Sequence, residues 1–98
     1  MSRTVVWSTT ASEQLEAIAV NIARVSPVYA YRLVDRLITR SEHLAQFPGI
    51  GRVSPRADDP NIRELLEGDY PMLYLVQTSR IDVLGVVHGR RDLRWPDE

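Results

Sequence analysis

Arginine is the residue type with the most chemical potential in this chain: the 12 basic residues among 98 are all Arg, with no Lys. A guanidinium is a planar fork of donors, suited to partly desolvated contacts with carboxylate or phosphate. A GC-rich genome is the other source of such a bias. Arg32, Arg36 and Arg40, followed by His43, recur at i, i+4, i+8 and i+11, which places them along one polar side of a helix. They form either a solvated face or a docking rail for an acidic partner. Arg52 and Arg56 lie in a Pro/Gly-rich stretch, Arg63 in the next extended segment, and Arg90-Arg91 after the last one. Antiparallel pairing of those segments predicts that Arg63, His88, Arg90 and Arg91 converge on one edge or face. Such a cluster could hold phosphate or carboxylate. Trp95, in the polar tail beyond it, either folds back onto the sheet or faces a partner.

Other chemistries find little support. His43 and His88 stand in different elements without paired-ligand spacing, and there is no cysteine, so neither a metal site nor a cofactor is expected. Gly49-Ile50-Gly51-Arg52 lacks the Lys and the following helix of a phosphate-cradling loop. No strand–turn–helix elbow presents a nucleophile. No catalytic residue is assigned.

The elements that must position these arginines are readable from spacing. Arg3–Trp7 is β-branched and aromatic, a short strand. Ser8, Thr9 and Thr10 are candidate N-caps, Thr10-Ala11-Ser12-Glu13 with capping-box spacing, and Ala11, Leu15, Ile18, Ala19 and Ile22 follow at helical period, predicting a helix over about residues 10–24. Ser26-Pro27 opens a second helix. Ala30, Leu33, Val34, Leu37, Ile38, Ser41 and Leu44 hold one face of it until Phe47-Pro48-Gly49 stops it. The short link between the two predicts an antiparallel helical hairpin. Pro48 to Pro60 reads as a loop, and residues 61–67, 72–78 and 81–88 as successive antiparallel hairpin strands. The predicted fold is α+β in the order β-α-α-β-β-β, a single domain over residues 1–98, with the helical hairpin covering one face of an antiparallel sheet.

Charge is spread evenly: five Arg against four acids in residues 1–47, three against five in 48–70, and four against four in 71–98. Direct, stable nucleic-acid binding by bulk electrostatics is therefore not expected. Apolar runs are short and no leader opens the chain, so the expected setting is the cytoplasm, without a membrane.

An ordered set of residues resembles a known family. It comprises Trp7-Ser8-x-x-Ala11-x-x-x-Leu15-x-x-Ile18, Ser26-Pro27-x-x-Ala30 and Leu44-x-x-Phe47-Pro48-x-x-Gly51-Arg52. Ile62-Arg63-Glu64-Leu65, Tyr70-x-x-x-Tyr74 and Val86-Val87-His88-Gly89-Arg90-Arg91-Asp92 complete it. Together they resemble the RelE/ParE superfamily of toxins from bacterial type II toxin–antitoxin systems, closest to the ParE branch. The resemblance implies a toxin that inhibits DNA gyrase by binding and is held in a hetero-oligomer by a ParD-like antitoxin. RelE-like members instead cleave mRNA on the ribosome, and they carry a basic residue beside the strand aromatic and a late Tyr. Here Pro71 follows Tyr70, and Gly89 follows His88, departures that favour the binding toxin. A degenerate toxin acting only with its antitoxin is the third possibility. The expected target-facing residues are Arg63, His88, Arg90, Arg91 and Trp95. The expected antitoxin contacts are Val28, Tyr29, Tyr31 and Leu33 near the hairpin turn, with Arg32, Arg36, Arg40, Arg52 and Arg56 at the rim.

Overall fold

The computed structural model describes residues 2–87. The chain runs β1 (Thr4–Trp7), α1 (Thr9–Ala23), α2 (Pro27–His43), β2 (Arg52–Val53), β3 (Ile62–Glu67), β4 (Tyr70–Val76) and β5 (Arg80–Val86). Serine starts both helices. Ser8 accepts from the Ala11 amide at 2.9 Å and Ser26 from the Tyr29 amide at 3.1 Å, each relieving one of the unpaired donors at a helix start. The first cap is therefore Ser8, one of the three candidates, and the one at Thr10 with capping-box spacing lies inside the helix. Helix α2 ends at His43, earlier than its apolar period suggests, because the chain tightens: the amides of Leu44 and Ala45 bond three residues back, to Ser41 and Glu42.

Among the described residues the sheet has five strands, in the order β1-β5-β4-β3-β2. Its hairpins are antiparallel as expected, but β1 pairs with β5 in parallel, Thr4 opposite Arg80 and Trp7 opposite Val83. The sheet is thus mixed, not wholly antiparallel. Six chain links separate β1 from β5, and if each reverses direction the even number brings them out running the same way. The second difference is β2, inside the expected loop, which pairs Arg52 with Glu64 and Val53 with Arg63. The β3–β4 turn places Gly68 at φ +59°, the value that the first position of a II′ hairpin turn demands.

Alternation divides the sheet into two faces. Leu65, Met72, Tyr74, Ile81 and Val83 face the helices and join Leu15, Ile18, Leu33 and Leu37 in one core. Arg63, opposite Tyr74, shares that face, while Glu64, opposite Leu73, lies on the other. The layers are also stitched by polar bonds. Trp7 Nε1 donates to Ser41 Oγ at 3.1 Å, and the Ser41 hydroxyl donates in turn to the Ile38 carbonyl at 2.7 Å. The Val86 amide donates to Gln14 Oε1 at 2.9 Å, tying β5 to α1.

Candidate functional site

The segment between α2 and β3 is fastened to the sheet at two places, and both use side chains that β3 and β4 present at their paired positions. The first is Tyr74. Its hydroxyl donates to the Pro48 carbonyl at 2.9 Å and accepts from the Gly51 amide at 3.0 Å. Arg63 Nη1 then donates to the Gly51 carbonyl at 2.6 Å. Position 51 must be glycine, because a Cβ there would sit 2.5 Å from the Glu64 carbonyl oxygen and 2.6 Å from the Tyr74 hydroxyl. Burial raises the Tyr74 phenol above its ordinary pKa, partly offset by the Gly51 bond and the Arg63 charge.

The second fastening is Glu64, a buried carboxylate. Arg52 Nη2 donates to one oxygen at 2.9 Å. Ser54 Oγ donates to the other at 2.9 Å, and so does Arg56 Nη1. Burial by itself would raise the carboxyl pKa. The three hydrogen bonds and the Arg56 charge outweigh it and hold the group below the usual carboxylate range. Above this cluster lies a groove of about 510 Å³, lined by Ile50, Gly51, Arg52, Arg56, Glu64, Leu65, Leu66 and Pro71. A second, more apolar groove of about 440 Å³ runs between the helices and β1, lined by Trp7, Leu15, Ala19, Val34 and Ile38 with Ser12 and Glu16.

The residues singled out from the sequence distribute unevenly over this frame. Val28, Tyr29 and Tyr31 are exposed at the start of α2, as a contact surface requires, and Arg32 is exposed beside them. Leu33 is corrected: at 3% exposure it belongs to the core, because its place on the apolar stripe of α2 turns it to the sheet. Arg56 is corrected as well. Its side chain is 4% exposed and closed on Glu64, so it holds the loop and does not stand at a rim. Arg52 remains available, with its side chain 69% exposed despite the Glu64 contact. Arg36 and Arg40 reach Glu67 at 3.7 and 3.1 Å, and Arg40 also donates to the Leu66 carbonyl at 3.1 Å. The basic stripe therefore partly serves to pin α2 to the end of β3. Arg63 is committed to Gly51, two strands away from β5 across β4. His88, Arg90, Arg91 and Trp95 lie outside the described residues. Glu64, Ser54 and Tyr74 were missed by sequence reasoning. The signal that marks Glu64 is an acid inside a strand, with two arginines and a serine in the loop just before it.

The frame is thus a small helical hairpin on a mixed sheet, with a guanidinium-lined groove at one edge. Residues 5–93 match the family described as the ParE toxin of the type II toxin-antitoxin system parDE, and the chain belongs to that family. It is 32% identical over 91 residues to the putative toxin Y4kP of Sinorhizobium fredii, covering 92% of this chain and 90% of that one. It is also 32% identical over 88 residues to toxin RelE2 of Caulobacter vibrioides, covering 89% of this chain and 96% of that one. The chromosomal ParDE toxin–antitoxin structure from P. aeruginosa superposes with a TM-score of 0.73 at 22% identity, covering 90% of this chain and 97% of that chain. Among the described residues, no helix is long and apolar enough to cross a membrane.

Proposed function

We propose that this ParE-type toxin acts in the cytoplasm by binding DNA gyrase and halting replication, and that a ParD-like antitoxin neutralises it in a hetero-oligomer. The observation that carries a binding mode is the state of the cations that hold the loop between α2 and β3. Arg56 is buried against Glu64, Arg52 shares that carboxylate through Nη2, and Arg63 is held by the Gly51 carbonyl. Pro71, fully buried, occupies the position beside Tyr70 where a nuclease of this superfamily carries a base. Cleaving RNA needs a cation on the crowded phosphate and groups that move protons at the attacking and leaving oxygens. Arg56 and Arg63 are already engaged within the fold. Binding, in contrast, needs a few Arg and aromatic anchors, and the tail residues His88, Arg90, Arg91 and Trp95 are the proposed target anchors. Arg90→Ala combined with Arg91→Ala is expected to relieve growth arrest while circular dichroism stays native.

The deciding experiment is a supercoiling assay with purified gyrase and excess toxin, in which loss of supercoiling is expected. Normal supercoiling would reject the reading. The name of the RelE2 relative favours ribosome-dependent mRNA cleavage as a second reading. It predicts transcript cleavage in a translation mix containing ribosomes and none without them.

A further inference from the structure

We propose that the groove beside β2 is a docking site for an acidic, apolar segment of the antitoxin, with Arg52 receiving a carboxylate and Ile50 and Leu66 receiving an apolar side chain. This rests on the partner reading above and gives the expected Arg52 contact a groove and apolar neighbours. Phe47, Ile50 and Leu66 are between 44% and 62% exposed. Ile50 and Leu66 line the groove, and Phe47 begins the same turn, its carbonyl accepting from the Ile50 amide at 3.2 Å. Large apolar side chains on a turn are ordinarily a liability, and grouped at a groove they mark an interaction surface.

Two further facts set the occupant. The turn is held rigid from below by Tyr74 and Glu64, so little order is lost when a partner docks. The charge is also unbalanced: two guanidinium groups face one carboxylate, and the exposed Arg52 uses Nη2 on Glu64 while most of its fork stays open to solvent. One surplus positive charge among apolar walls suits a single Asp or Glu flanked by aliphatic residues. A nucleic acid would bring a line of phosphates past the Glu64 carboxylate and find few cations to receive them.

The test titrates the full toxin with the product of the small reading frame beside its gene, by calorimetry, using Ile50→Asp, Leu66→Asp and Arg52→Gln. Each should weaken binding at least tenfold, whereas Val20→Ser, exposed on α1, should bind as the parent does. In the parent complex, the amides of residues 47–53 should gain protection from hydrogen exchange, a readout independent of how the variants fold. Parent-like affinity in all three variants, or no added protection, overturns the groove and leaves the partner reading intact. If the parent itself does not bind that protein, the partner reading fails, and this inference with it. A single-stranded RNA 30-mer that binds through Arg52 and displaces the partner would also overturn the proposal.

Discussion

Glu64 is the residue on which the loop's attachment turns. Replacing it with Ala removes the carboxylate that, among the described residues, pairs with the almost fully buried guanidinium of Arg56. Breaking a buried pair from one side costs about 3–5 kcal/mol, so Glu64→Ala should lower the urea midpoint by that equivalent. Its pKa direction gives a second outcome. A carboxyl held below its ordinary value stabilises the fold fully above the unfolded-state pKa, and that contribution disappears as pH falls through the lower folded-state value. Urea midpoints of the parent should thus fall more steeply on the acid side than those of Glu64→Gln, and parallel curves would contradict the role given to this group. In the sequence, the arginines were visible as chemistry but their partner was not. Spacing shows which residues share a helix face. It does not show that Ser54 and Arg56 fold over the sheet onto a carboxylate ten and eight residues later. Leu33 shows the converse, since its helical period already marked it as apolar stripe and its burial follows from that period.

The segment from Pro48 to Arg56 is an element in its own right, although only Arg52–Val53 of it is strand. Tyr74→Phe leaves the Pro48 carbonyl and the Gly51 amide without their partner and should cost about 1–3 kcal/mol. Faster hydrogen exchange at residues 49–54, with α1 unchanged, is the expected signature. Gly51→Ala should be worse than this, since the new methyl meets backbone as well as the phenol. Both helices were legible because Ser-Pro, the apolar period and Phe-Pro-Gly each speak locally. The two-residue β2 was not, because so short a strand exists only through its pairing with β3. The parallel partner of β1 was hidden for the same reason: a strand's own residues do not name its neighbour.

For the molecule as a whole, the test of the hairpin's orientation is Leu37, which is fully buried in the core that joins helices and sheet. Leu37→Asp places an unpaired charge there and should abolish cooperative unfolding and soluble expression. A folded Leu37→Asp protein would refute the assigned face. The pairing of Thr4–Trp7 with Arg80–Val83 carries a different consequence. Among the described residues the first strand has its seat beside the last, so the long stretch of chain between them must close as a loop before that contact forms. During synthesis the N-terminal strand waits without a neighbour until β5 emerges. A transcript truncated before codon 80 would therefore yield an open-edged fragment rather than a finished poison.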